Sequence, residues 1–228
     1  MNRIVPILIA ALVVVAGAAY WLTQSADTPD PSQTVIAQAD NASDAGATDS
    51  ADTSGVIEMV MGSDDAPITI VEYASFTCPH CATFHESVLK PLKTDYVETG
   101  KVKFIFRDVY FDKFGLWASM VARCGGPEKF FGMADLLMKG QSSWTRAGDP
   151  VAIAGELKKI GRLAGLEDAQ VQACMQDETK AKALLAWYEK NGAADDITGT
   201  PSMIINGEKH SNMSYADLKK ILDGLLEG

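Results

Sequence analysis

The stretch "VEYASFTCPHCATFH", residues 71–85, decides how the whole chain is read. With Ile68, Thr69 and Ile70 before it, its first part is β-branched and apolar, the pattern of a buried strand. Its second part opens a helix, because Pro79 suits a first helical position, where a missing N–H costs nothing. Cys78 therefore stands at a helix amino terminus. Free backbone N–H groups and the positive end of the helix dipole lie against its sulfur and favour thiolate over thiol. His80, in the same turn, adds a hydrogen bond or a positive charge. Cys81, three residues on, lies one turn deeper on the same face, within bonding reach of Cys78. The expected division is an exposed, attacked sulfur at 78 and a shielded, resolving one at 81. A stabilised thiolate is a good leaving group, so a disulfide made with it is an oxidant.

Two other readings of the pair compete. Half a zinc ribbon would need a second C-x-x-C, and the remaining cysteines, Cys124 and Cys174, stand singly. A local metal site would use Cys78, Cys81 and His85, one turn beyond Cys81. A haem attachment is excluded, because Ala82 rather than His follows the second cysteine. Passive core thiols fit poorly at a strand-to-helix junction, all the more in an oxidising compartment.

The compartment is set by the amino terminus. Residues 4–22, "IVPILIAALVVVAGAAYWL", carry no charge and follow Arg3, the layout of a signal peptide or a signal anchor. No Lys or Arg recurs until Lys90, so the chain beyond the apolar run is expected to be exported. Residues 23–55 are Ala, Asp, Ser, Thr and Gln with few large apolar side chains, an acidic spacer unable to offset its ordering entropy. The net charge of −10 and a pI near 4.7 leave no cationic footprint for nucleic acid.

From residue 56 the texture is that of one domain. "VIEMV" reads as a short strand, residues 79 to about 98 as a helix interrupted at Pro91, and "KVKFIFRDV", 101–109, as a strand. Strand, helix, strand is a βαβ unit with parallel strands. Residues 114 to about 194 carry apolar positions at spacings of three and four, an all-helical insertion. "PSMIING" then reads as a strand ending in an Asn-Gly turn, and Ser214 as the N-cap of a terminal amphipathic helix. Alternation along "ITIVEYAS" directs Glu72 toward the space beneath the cysteines, with Lys103 on the following strand as its charge partner. A carboxylate buried there would titrate late and could relay protons.

Together "VEYASFTCPHCATFH" and "TGTPSMIING" resemble the DsbA-like thiol:disulfide oxidoreductases of the thioredoxin superfamily, over about residues 56–228. The resemblance implies an α/β thioredoxin fold with an all-helical insertion between the βαβ half and the cis-proline strand. It implies Cys78 as nucleophile, Cys81 as resolving thiol, Pro79 and His80 as the residues between them, and Glu72 as proton acceptor for Cys81. Pro201 is then the cis-proline facing the pair, with Thr200 offering its backbone to an extended substrate. "VARCGGPEKFFG" resembles the segment of relatives with a structural disulfide, implying a Cys124–Cys174 bridge.

The activity so implied is oxidation of reduced, unfolded polypeptides in the periplasm by a monomer. It needs no cofactor or metal and is recycled by a DsbB-type membrane quinone reductase. Thr200 stands where the best-known oxidases have Val and several isomerases and reductases have Thr, which leaves the direction of electron flow open. The rivals are an isomerase or reductase, and a non-enzymatic metal or peptide binder.

Overall fold

The structure, a computed structural model, describes residues 51–228. The apolar run 4–22 and nearly all of the spacer 23–55 lie outside the described residues. Among the described residues no helix is long and apolar enough to cross a membrane.

At the centre is a five-stranded sheet in the order β1-β3-β2-β4-β5. Its strands are β1 (Met59–Met61), β2 (Ile68–Ala74), β3 (Val102–Asp108), β4 (Ser202–Ile205) and β5 (Glu208–Ser211). β2 and β3 run parallel, Ile68 beside Val102 through Ala74 beside Asp108, while β1, β4 and β5 pair antiparallel to their neighbours. The βαβ unit expected from the alternation is therefore present, with β2 in the middle of the sheet. Since successive side chains alternate, Ile68, Ile70, Glu72 and Ala74 share one face, and Val71 and Tyr73 the other. The first face joins the large core with Phe104, Phe106 and Met203, and the second packs with Ile105, Val109 and Ile204.

The segment after β2 starts as α1 (Pro79–Phe84) and reaches Val97 through a short α2 (Lys90–Leu92). Wide π turns occupy His85–Leu89 and Lys93–Val97, on both sides of Pro91. Proline has no N–H to give and its ring crowds the preceding turn; looser turns on either side carry the helix past it. The expected interruption is thus an unwinding spread over two turns.

Between β3 and β4 the chain forms α3 (Lys113–Cys124), α4 (Pro127–Trp144), α5 (Pro150–Leu163), α6 (Asp168–Met175) and α7 (Glu178–Ala194), the all-helical insertion that the sequence predicts. Asp112, Asp149 and Asp177 cap α3, α5 and α7 through their side chains, accepting from backbone N–H groups of the first turn. Phe130, Met133 and Leu137 of α4 are fully buried against the sheet, and Phe106 packs against Phe130 with the rings tilted, 5.3 Å between centres. Arg123 pairs with Asp108 at 2.6 Å, both nearly sealed from solvent, and also donates to the Ile57 carbonyl. This ion pair ties α3 to the end of β3 and to the strand-free residues before β1.

Asn206 and Gly207 both adopt positive φ, the type I′ signature of a two-residue hairpin loop, and join β4 to β5. Ser214 accepts from the Asp217 N–H and starts α8 (Tyr215–Glu227), as its N-cap reading expects.

Gly62, just past β1, has φ +94, and a Cβ there would stand 2.4 Å from the Val102 carbonyl oxygen. The obstacle is backbone of the neighbouring strand and cannot swing away. Gly62→Ala is expected to cost roughly 1–3 kcal/mol through strain and overlap together, read as a lower urea midpoint with an unchanged slope. A midpoint equal to that of the unaltered chain would mean that β1 can detach without cost.

Candidate active site

Three pieces of chain meet where β2 ends. Ser75 turns the chain, accepting the Cys78 N–H at 3.1 Å. Cys78 keeps an extended backbone as N-cap of α1, and its carbonyl accepts from the N–H groups of Cys81 and Ala82. Pro79 occupies the first helical position, as its sequence context predicts. Pro79 and His80 are exposed, and the His80 ring makes no hydrogen bond among the described residues.

The two cysteines are free thiols in this structure and differ in their surroundings. Cys78 is 9% exposed, so it too is buried where the sequence leads one to expect an exposed sulfur, and its sulfur approaches the Thr200 carbonyl at 3.5 Å. Cys81 is 0% exposed and faces the core. Burial pushes the Cys81 thiol far above the ordinary thiol range, and the charge of Glu72 pushes the same way. The Thr200 hydroxyl is buried without a well-formed hydrogen bond; it leans on the Cys81 sulfur and opposes that rise without cancelling it. The Thr200–Pro201 peptide is cis, with Pro201 buried.

Glu72 lies in the middle of β2 and is 0% exposed. Its partner is not Lys103, which turns outward to Asp64 at 2.7 Å because alternation along β3 points it away from the core. The partner is His85, whose Nε2 lies 3.1 Å from Glu72 Oε2. The other oxygen, Oε1, is buried without a hydrogen bond. His85 is thereby turned toward the carboxylate, and among the described residues no three His, Cys, Asp or Glu side chains gather in a metal-holding cluster.

One residue without any signal in the sequence braces the turn. Gln141, buried on α4, donates from Nε2 to the carbonyls of both Phe76 and Cys78, at 2.9 and 2.8 Å. Its position 63 residues downstream of Cys78 leaves nothing local to mark it. Cys124 and Cys174 lie outside this site and are joined in a disulfide between the last residue of α3 and α6, with Cα atoms 5.8 Å apart.

The sequence profile of the thioredoxin family matches residues 54–224. The chain belongs to the thioredoxin family. Among solved structures, the DsbA-like protein resembles the crystal structure of Wolbachia pipientis alpha-DsbA1, with a TM-score of 0.67, 27% identity, and coverage of 74% of this chain and 90% of that one. It is similar to the "Putative protein-disulfide oxidoreductase" of Rickettsia bellii, 32% identical over 171 residues that make up 75% of this chain and 65% of that protein. It also resembles the "Disulfide bond formation protein D" of Bacillus subtilis, 25% identical, covering 74% of this chain and 77% of that protein. The match thus spans less than two thirds of the Rickettsia bellii relative. These likenesses place the chain with the DsbA-like oxidoreductases of the thioredoxin superfamily.

Proposed function

We propose that this chain is an exported thiol:disulfide oxidase that transfers a Cys78–Cys81 disulfide to reduced, unfolded polypeptides. The observation that carries the reading is the asymmetry of the pair. Cys78 sits at the rim, at the start of α1 and beside the backbone of Thr200, while Cys81 is sealed beneath it.

A substrate thiolate attacks the Cys78 sulfur. The bond to Cys81 breaks and its electron pair stays on Cys81, which takes up a proton. A second substrate thiolate then attacks the substrate sulfur of the mixed disulfide, forming the substrate disulfide and releasing Cys78 as thiolate. Two electrons have passed from substrate to the pair. Thr200 and Pro201 hold the incoming peptide by backbone pairing, as an added strand, and Glu72 exchanges the Cys81 proton. Reoxidation falls to a DsbB-type membrane quinone reductase. The site is periplasmic, the enzyme works as a monomer, and no dissociable cofactor enters the reaction.

The test is the redox equilibrium of the Cys78–Cys81 pair against glutathione. An oxidase is expected near the potential of a strong oxidant, about −120 mV, and a value near that of thioredoxin, about −270 mV, would reverse the direction of flow. Thr200 before Pro201 favours a second reading, an isomerase or reductase. For an isomerase, light scattering should find a stable dimer or trimer rather than a single chain.

A further inference from the structure

Cys81 cannot exchange a proton with water directly, and neither can Glu72, since both are wholly buried. His85 touches this sealed space and also reaches toward the surface. It opens the wide-turn segment one turn beyond Cys81 and is 6% exposed. One edge of its ring holds Glu72. His85 also borders two surface grooves, of about 450 Å³ beside Pro79, Met138 and Gln141, and about 310 Å³ beside Leu89 and Phe131. Glu72 lines neither groove.

The surroundings keep His85 committed to Glu72. The rings of Phe84 and Phe106 stand edge-on to it, at 6.3 and 5.8 Å between centres, and present no polar atom. The ionic groups around the grooves are paired with one another. On α4 Lys139 holds Asp135 at 2.6 Å, and on the helical segment of His85 itself Lys90 holds Glu86 at 2.6 Å and Lys93 lies 3.8 Å from Glu98. With Cys81 on α1 and Glu72 on β2, these are the titratable and charged groups that face the imidazole from the elements around it.

We propose that His85 is a positioning residue that carries the Cys81 proton between Glu72 and the solvent of the grooves. The inference rests on the thiol:disulfide exchange proposed above. When the bond between the cysteines breaks, the Cys81 thiolate takes up a proton by way of Glu72. His85 replaces the proton that Glu72 passes on and draws its own from the solvent of the grooves. In the reverse direction Cys81 loses its proton along the same path as it attacks a mixed disulfide on Cys78. Neither Glu72 nor His85 changes oxidation state, and the electrons remain on sulfur. Burial of the Cys81 thiol, and the charge of Glu72 acting on it, make this proton the costly one to move.

The experiment follows the reverse step, which can be measured whichever way electrons flow physiologically. The reduced full-length chain is mixed with oxidised glutathione, and the rate at which Cys81 resolves the Cys78–glutathione disulfide is recorded from pH 5 to 9. For His85→Gln, which can still hydrogen-bond but cannot titrate, resolution at pH 7 should slow by about tenfold or more. That is short of the ~10²–10⁴-fold of direct proton transfer. Its pH profile should flatten, Glu72→Gln with His85→Gln should be no slower than Glu72→Gln alone, and added imidazole should restore the rate of His85→Ala.

A His85→Gln profile that keeps the shape of the unaltered protein, with no rescue of His85→Ala by imidazole, would overturn the relay. The proton inventory of the unaltered protein in mixtures of light and heavy water needs no variant. A curved dependence, meaning more than one proton in flight, is expected, and a linear one also overturns the relay. A thioredoxin-like glutathione equilibrium with a normal relay would instead count against the oxidase reading alone.

Discussion

Full-length protein carrying Cys81→Ala is expected to stop halfway through its reaction. Oxidised with glutathione and given a peptide with one thiol, it should accumulate a stable Cys78–peptide disulfide, seen as a mass increase that reductant removes. The unaltered protein should show this adduct only in passing, because Cys81 lies one turn deeper on α1 and attacks within the molecule. Well-oriented intramolecular partners reach effective concentrations on the order of 10⁵ M or more, far beyond any free thiol. Cys78→Ala should form no adduct and retain no exchange, since the remaining thiol is 0% exposed and burial holds it protonated. Adduct formation at residue 81 in the Cys78→Ala protein would reverse the assignment of the two roles.

The second large effect concerns stability. Replacing Cys124 and Cys174 together by serine opens a loop of 50 residues. The chain-entropy relation puts the loss at roughly 4 kcal/mol. For a domain of this size each kcal/mol moves the melting temperature by about 2–4 °C, so a fall of about 8–16 °C is expected. The bridge matters most for α6, only eight residues long and too short to stand without tertiary support. Beyond the bridge α6 leans on α5, where Gly161 leaves room for Val171: a Cβ at 161 would sit 2.5 Å from a Val171 methyl. Calorimetry of the double variant measures the effect directly. A melting temperature within about 3 °C of the unaltered protein would mean that helix packing alone holds the insertion together.

Features governed by neighbours along the chain are legible in the sequence. The β-branched run 68–74, Pro79 after Cys78, the Asn206-Gly207 turn and the Ser214 cap each carry a local reason for their geometry, and each lies where that reason puts it. Cys81 is legible as the deeper sulfur because three residues make nearly one helical turn. What escapes depends on which surfaces meet. Alternation rightly directs Glu72 inward but suggests a partner on the next strand, whereas the partner comes from the helix above, from a histidine one turn past Cys81. Strand β5, Glu208–Ser211, is polar throughout and forms only because the tight turn delivers it to the sheet edge. Gln141 is hidden in an amphipathic helix, where a single amide among apolar neighbours has no periodicity to betray it.

That amide has a bearing on how such a chain can be rebuilt. Through two carbonyls, one of them that of Cys78, the inserted helices grip the turn that carries the cysteine pair. Insertion and cysteine loop are thus not interchangeable parts: a chimera with helices borrowed from a relative would reproduce this loop geometry only if the donor helices brought an equivalent clamp.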